Sequence, residues 1–135
     1  MSVPGSLHHV ELYVASLEDS RRFWQPFLSR LGYAEFQKWQ SGFSFKLAGT
    51  YIVFVQAEQE HLAAGYHRKR VGLNHLAFHA ASREQVDELT AWAKDSGYQL
   101  LYPERHPHAG GQACYALYCE DPNRIKVELV APAET

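Results

Sequence analysis

Three side chains of metal-binding type fall on strand-like stretches of the sequence. His9 lies in "SLHHVELYV" (6–14), His75 in "VGLNHLAFH" (71–79) and Glu128 in "RIKVELV" (124–130). Two imidazoles and one carboxylate suit a divalent metal ion and leave coordination positions open for water or substrate. Because no short motif joins the three, each could instead be a structural or solvated strand residue.

The pattern around each of these residues is one of alternation. Apolar and polar side chains alternate in all three stretches, which predicts strands with one buried face. The apolar rows, each with a spacing of two, are Val10, Leu12 and Val14; Leu76 and Phe78; and Ile125, Val127 and Leu129. His9, His75 and Glu128 fall on the opposite rows, so all three are expected to face a cavity rather than the packed core.

The two histidine-containing strands belong to an internal repeat. A shift of 66 residues superposes His9 on His75 and Ser16 on Ser82, and each serine resembles a helix N-cap. A helical pattern follows each cap and ends at Gly32 or Gly97. The same alignment puts His9, not His8, in phase with His75. His8 is then expected to face the helices or the strand edge.

Short strand-like runs follow each helix. They lie near 34–39, 42–48 and 50–57 in the first half and near 98–102, 113–119 and 124–130 in the second. Each half is therefore strand–helix–three strands, which gives an α+β fold class. Since one such unit cannot bury both faces of its sheet alone, the repeats are expected to pair. We predict a single domain over 1–135, with modules at about 6–58 and 72–131.

With these motifs in place, the sequence resembles the vicinal oxygen chelate superfamily, which includes glyoxalase I, fosfomycin-resistance enzymes, extradiol dioxygenases and bleomycin-resistance proteins. The resemblance rests on "LHHVELYV", "SLEDSRRFWQPFLSRLGY", "GLNHLAFHA" and above all "YCEDPNRIKVELVAP". It implies paired βαβββ modules that form a half-open mixed-sheet barrel with the helices outside. It also implies metal ligands at His9, His75 and Glu128 for a divalent ion such as Fe, Zn, Mn or Ni, and a cavity tyrosine at Tyr118.

Departures from the family patterns narrow the expected function. Val55 stands where glyoxalase I-like enzymes place a carboxylate ligand. Fosfomycin-resistance enzymes use a basic residue after the final ligand, and this sequence has no Lys or Arg after Glu128. Both activities are therefore disfavoured. The sequence favours a metal-dependent dioxygenase or lyase that acts on a small vicinal-oxygen or aromatic substrate. The alternative is a non-catalytic small-molecule binding or sequestering protein of the bleomycin-resistance type.

Further candidate residues surround the proposed ligands. His79 and Tyr118 are the candidate catalytic residues, His79 as an acid or base and Tyr118 as a group that orients substrate or donates a proton. His106 and His108, in the Gly-rich "HPHAGGQ" loop, are expected to contact substrate at the cavity mouth, and Tyr13 to line the pocket. In each case an ordinary structural or solvent-exposed role stays open.

Composition excludes several classes of function. A net charge of −2 and 21% charged residues do not favour nucleic-acid binding, and "HRKR" at 67–70 reads as a solvated loop. No stretch has the apolar length of a membrane span, and the N-terminus lacks a signal pattern. Cys114 and Cys119 are expected to point to opposite faces and stay unpaired, which favours the cytoplasm. The expected partners are a small-molecule substrate and a possible second copy in a homodimer.

Overall fold

The computed structural model describes residues 2–134 and divides between Gly65 and Tyr66 into two compact units. The first contains β1 (His9–Val14), α1 (Leu17–Arg30), β2 (Ala34–Trp39), β3 (Gly42–Leu47), β4 (Thr50–Gln56) and a 3-10 turn (Gln59–His61). The second contains β5 (His75–His79), α2 (Arg83–Asp95), β6 (Ala116–Glu120) and β7 (Lys126–Val130). The predicted α+β class is confirmed.

The two sheets repeat one topology. In the first, the strand order is β1-β4-β3-β2, with β1 parallel to β4 and the other pairs antiparallel. In the second, the order is β5-β7-β6, with β5 parallel to β7 and β6 antiparallel to it. The orders match element by element except that the second sheet has no regular counterpart of β2. The 66-residue shift therefore relates two copies of one supersecondary unit.

The helices begin and end where the sequence signals predict. Ser16 and Ser82 each accept a hydrogen bond from the backbone N–H three residues on, at 3.2 and 3.1 Å. Gly32 and Gly97 follow the helix ends with φ of +99° and +83°, a left-handed conformation that glycine adopts without steric penalty. Within residues 2–134 no helix has the length and apolar character needed to cross a bilayer.

The first unit has an aromatic core. Trp24 on α1 packs on Phe54 of β4, with ring centroids 5.1 Å apart, and both side chains are fully buried. Burying an apolar side chain of this size is worth about 2–3 kcal/mol. The core of the second unit consists mainly of aliphatic side chains, which are smaller than the aromatic rings of the first unit. Its largest fully buried side chains are Val86, Leu89, Leu117, Val127 and Leu129.

The predicted strand near 98–102 is wrong as a regular strand. It contributes an isolated bridge between Leu100 and Cys119 and one further hydrogen bond, from Leu101 N–H to the carbonyl of Tyr118 (2.9 Å). Tyr102 then has φ of +54°, which turns the chain away from β6, and Pro103 has no N–H to donate to the ladder. The edge of β6 consequently pairs with loop backbone at single points and not with a regular strand.

The solvated-loop interpretation of 67–70 is wrong for Arg68. Its guanidinium lies 2.5 Å from Oε2 of Glu120, whose side chain is 7% exposed. Arg124 approaches the same oxygen at 3.4 Å. A buried carboxylate needs such partners because an unpaired charge loses its hydration without compensation. Arg68 therefore ties the start of the second unit to the end of β6.

Candidate metal centre

Strand register places the polar side chains of the second sheet on one face. In β7, Glu128 pairs with Ala77 of β5 and with Tyr118 of β6, while Lys126 pairs with His75. Paired residues point to the same side of a sheet, and so do residues two apart on one strand. His75, His79, Tyr118, Lys126 and Glu128 consequently share a face, and the buried Val127 and Leu129 occupy the other. We call the first of these the Glu128 face.

His75 and Glu128 converge closely. Nε2 of His75 lies 3.1 Å from Oε1 of Glu128, and the two side chains are 32% and 16% exposed. Nδ1 of His75 lies 2.6 Å from Oδ1 of Asn74. If Nδ1–H donates to that oxygen, the Nε2 of a neutral imidazole presents a lone pair to a carboxylate oxygen. Two hydrogen-bond acceptors at this distance repel each other unless a cation, either a proton or a metal ion, lies between them.

The donor set of this pair fits a divalent metal. Imidazole nitrogen and carboxylate oxygen bind divalent ions at about 2.1 Å, so two adjacent ligands of an octahedral ion are about 3 Å apart. The 3.1 Å separation of His75 and Glu128 matches that spacing. Metal-bound histidines also donate the other ring N–H to an oxygen, which fixes the tautomer. Asn74 supplies such an oxygen.

Tyr118 adds a donor to the same pair. It hydrogen-bonds Glu128, and burial together with the Glu128 charge raises the pKa of Tyr118 to about 12. The phenol therefore stays protonated and donates to the carboxylate. Gly110 lies against it, because a Cβ built on that glycine would be 2.9 Å from the Tyr118 hydroxyl oxygen. The loop backbone thus limits where this hydroxyl can lie.

His9 belongs to the first unit. It begins β1, pairs in register with Tyr51, and stacks on that ring with centroids 4.7 Å apart and an interplanar angle of 3°. Nδ1 of His8 lies 2.9 Å from Nδ1 of His9, and the His8 ring meets Tyr51 edge-on at 5.4 Å. His8 precedes the strand, so alternation does not govern its direction. Because His9 and the His75–Glu128 pair lie in different units, the full triad stays a prediction.

Val55 lies on the His9 side of the first sheet. It pairs with Tyr13 of β1, which is 66% exposed. Val55 is half-buried and offers no ligand atom. Gln56, the next residue, points the other way and binds Leu17 N–H and the carbonyl of Ala15 through its amide. This strand therefore presents no carboxylate of the kind that glyoxalase I-like enzymes use.

The remaining predicted residues are His79 and the two loop histidines, His106 and His108. His79 is exposed on the Glu128 face, two residues beyond His75. His108 binds the carbonyl of Cys114 at 2.8 Å and meets the Tyr115 ring edge-on. Burial and, next, Lys94 of α2 lower the pKa of His106. His106 therefore lies near α2 and His108 lies against the segment that precedes β6, and their contact with substrate stays a prediction.

Two features near β7 were not singled out in the sequence. Lys126 donates a hydrogen bond to the Tyr102 hydroxyl at 3.0 Å and lies 5.2 Å from the centroid of the Tyr118 ring. The hydrogen bond from Lys126 is the main reason that the pKa of Tyr102 is lowered. Lys126 occupies the same alternating row as Glu128, and that signal could have identified it. The position of the Tyr102 side chain depends on the turn of the loop, which no pattern in the sequence indicates.

Two other features lie elsewhere. Glu58, Glu60 and His61 offer ligand atoms within 4.8 Å of one another, but all three side chains are exposed. An open groove of about 600 Å³ follows the outer side of α1 and is lined by Glu18, Arg21, Arg22, Gln25, Pro26 and Ser29. Neither feature combines burial with converging ligands as the His75–Glu128 pair does.

Comparison with known proteins agrees with the fold. The glyoxalase/bleomycin resistance protein/dioxygenase superfamily matches residues 6–129. The chain belongs to this superfamily. It is 60% identical over 127 residues to the uncharacterised protein YqjT of Bacillus subtilis (strain 168), a match that covers 94% of this chain and 99% of YqjT.

Solved structures show the same relationship. A crystal structure from Bacillus halodurans, provisionally described as a glyoxalase, superposes with a TM-score of 0.94 and 58% identity over 96% of this chain and 97% of that one. The fosfomycin resistance protein FosX of Listeria monocytogenes gives a TM-score of 0.67 and 23% identity over 95% and 91% of the two chains. The latter likeness concerns the fold alone.

Proposed function

We propose that this protein is a metal-dependent enzyme that binds a divalent ion through His9, His75 and Glu128. Its substrate is a small molecule with vicinal oxygens or an aromatic ring, and its reaction is of the dioxygenase or lyase type. The observation that supports this is the His75–Glu128 pair, in which a nitrogen and a carboxylate oxygen face each other at 3.1 Å. Iron, zinc, manganese and nickel are the candidate metals.

The residues around the pair have separable roles. A bound divalent ion would supply Lewis-acid activation of a substrate oxygen. Asn74 orients the His75 ring, and Tyr118 holds Glu128 through a phenol that stays protonated because its pKa is raised to about 12. Tyr118 is thus a hydrogen-bond donor rather than a base. His79, exposed on the same face, is the proposed proton acceptor or donor for substrate.

A non-catalytic small-molecule binding protein of the bleomycin-resistance type is the second candidate. One observation favours it: the first sheet carries large exposed rings at Tyr13, Phe36 and Trp39, which are 66%, 46% and 44% exposed. Flat rings of this kind can stack on a planar ligand without any metal. Turnover in the presence of metal separates the two candidates.

The partner and location proposals follow from composition and thiol state. The net charge of −2 gives no electrostatic footprint for nucleic acid, so we propose a small-molecule partner and a homodimer as the assembly. Cys114 and Cys119 are free thiols in the structure. Unpaired cysteines suit a reducing compartment, and we propose the cytoplasm.

Metal analysis tests the proposal directly. Protein purified without added metal and then equilibrated with Zn²⁺, Fe²⁺, Mn²⁺ or Ni²⁺ should hold about one ion per chain after dialysis, which elemental analysis measures. His9→Ala, His75→Ala and Glu128→Gln should each lose that ion. His61→Ala, which disrupts the exposed Glu58–Glu60–His61 group, is the matched control and should keep it. Loss of metal from the control alone would overturn the proposed site.

A further inference from the structure

Lys126 is a half-buried cation on the Glu128 face. The register of β7 sets it between His75 on β5 and Glu120 on β6. Its ammonium donates to the hydroxyl of Tyr102 at 3.0 Å and lies 5.0 Å from the centre of that ring. Within residues 2–134, no carboxylate lies within 4.0 Å of this ammonium. This ammonium therefore contacts neutral aromatic and hydroxyl groups.

The nearest carboxylate in register is already engaged. Glu120, opposite Lys126 on β6, holds Arg68 at 2.5 Å and Arg124 at 3.4 Å. Cation–π contact with Tyr102 and Tyr118 offsets part of the cost of removing the ammonium from water. A partly desolvated cation gains further from an anion that makes direct contact with it.

Tyr102 supplies a second donor beside the ammonium. Its oxygen accepts the hydrogen bond from Lys126, so its own O–H is left to donate to another group. The same bond lowers the pKa of Tyr102, which makes that hydroxyl a stronger donor. An ammonium N–H and a phenol O–H side by side match the two oxygens of a carboxylate.

The backbone fixes this hydroxyl in place. Tyr102 has φ of +54°, in the left-handed region that bulky residues rarely adopt. The N–H groups of Arg105 and His106 both bond to its carbonyl at 3.0 Å, and the guanidinium of Arg105 lies 4.9 Å from its ring centre. Strained backbone of this kind persists only where its surroundings determine it, and it clusters at ligand-binding positions.

We infer that Lys126 and Tyr102 bind a carboxylate group of the substrate, so that the substrate class is a small carboxylic acid carrying vicinal oxygens or an aromatic ring. The inference rests on the proposed function in one respect, which is that the vicinal oxygens of the substrate bind at the metal held by Glu128. Residues two apart on a strand are separated by about 6.6 Å, so one small molecule spans Lys126 and Glu128. The edge-on Tyr102 and Tyr118 rings, 5.4 Å apart, lie on the same side.

Two matched ligand pairs test the inference. Calorimetric titration at constant ionic strength compares 3,4-dihydroxybenzoate with catechol, and benzoate with benzamide, on both zinc-loaded and metal-free protein. The wild type should bind each carboxylate at least tenfold more tightly than its neutral counterpart. Lys126→Met should abolish that preference while leaving the neutral ligands within twofold, Lys126→Arg should retain it, and Tyr102→Phe should reduce it severalfold.

The control variant is Lys94→Met, which removes the same charge from the exposed side of α2 and should keep the preference. Equal affinity of the wild type for both members of each pair, no detectable carboxylate binding, or an equal loss in Lys94→Met would each overturn the inference. The zinc content of every sample is measured in parallel. Carboxylate preference in protein that was equilibrated with zinc but retains none refutes the metal proposal alone, and retained zinc without that preference refutes the carboxylate site alone.

Discussion

Oδ1 of Asn74 lies 2.6 Å from Nδ1 of His75, on the far side of the imidazole from the nitrogen that faces Glu128. One ring nitrogen therefore contacts Asn74, which orients the ring, and the other faces Glu128, the second candidate metal ligand. Asn74 is itself exposed and immediately precedes β5. A substitution at this exposed position is therefore expected to change the fold little while it removes the contact that orients the ring.

Asn74→Ala should consequently separate metal affinity from stability. We expect the affinity for Zn²⁺ to fall about tenfold to a hundredfold, the range seen when a partner of a metal-bound histidine is removed. The melting temperature of the metal-free protein should barely change, because substitutions at exposed positions typically cost under about 0.5 kcal/mol. Competition with a chromogenic chelator measures the affinity. Gln40→Ala, at an exposed turn in the first unit, serves as the control and should bind zinc as the wild type does.

Gly110→Ala should act on the Tyr118 hydroxyl. The added Cβ would lie 2.9 Å from that oxygen, so either the phenol or the loop must move and the hydrogen bond to Glu128 weakens. We expect zinc affinity to fall severalfold. Gly111→Ala is the matched control, since its Cβ meets nothing within 4 Å but its φ of +119° disfavours a side chain. That variant should lose about 1–2 kcal/mol of stability and keep its zinc affinity. The reverse pattern would contradict the assigned role of Gly110.

Removing Arg68 should destabilise the second unit. Arg68→Met leaves the Glu120 carboxylate, 7% exposed, with the exposed Arg124 as its sole ion-pair partner within 4.0 Å among residues 2–134. Breaking a buried ion pair from one side costs about 3 kcal/mol, and urea denaturation measures it. The double variant Arg68→Met/Glu120→Gln should recover part of the loss because no charge is then buried. Lys69→Met, the exposed neighbour, should be neutral, and a similar loss there would argue against the ion pair as the cause.

Cys119 should be protected from thiol reagents while the protein is folded. Burial, with Asp121 and Glu120 adding to it, raises the pKa of Cys119 to about 12 from 9.0. Iodoacetamide at pH 8 should therefore label only the half-buried Cys114 in the native protein and both thiols in urea, as peptide mass spectrometry would show. Rapid labelling of Cys119 in the native state would contradict its burial.

The same shift predicts a loss of stability at alkaline pH. The unfolded thiol loses its proton near pH 9 and the folded one only near pH 12, so above pH 9 the native state holds more protons. The free energy of unfolding should then decline as pH rises from 9 toward 12. Cys119→Val, which has no titrating group, should decline less over that range in paired urea titrations.

Much of the fold could be predicted because its signals are local. Period-two alternation identified β1, β5 and β7, and serine caps with terminal glycines bounded α1 and α2 within two residues. The repeat then supplied the topology. The fold class and the superfamily followed from these features.

What could not be predicted depends on distant or irregular contacts. Arg68 and Glu120 are 52 residues apart, and nothing in "HRKR" indicates a buried partner. The turn at Tyr102 has a left-handed backbone on a residue type that rarely adopts it, so the run at 98–102 read as an ordinary strand. For the site, alternation gave the shared face of His75 and Glu128, but the contact with Asn74 required coordinates.

Because the edge of β6 is irregular, the two halves of the chain differ in how well they tolerate insertions and substitutions. In the first sheet, β2 is held by a ladder of backbone pairs, and an insertion there would disturb its register. In the second, loop backbone meets β6 at a few points, such as the bond from Ala116 N–H to the carbonyl of Pro107. Residues 101–115 can therefore vary in length and composition while β5 and β7 keep His75 and Glu128 in place. Ligand preference can diversify in this half without altering the strands that carry the candidate metal ligands.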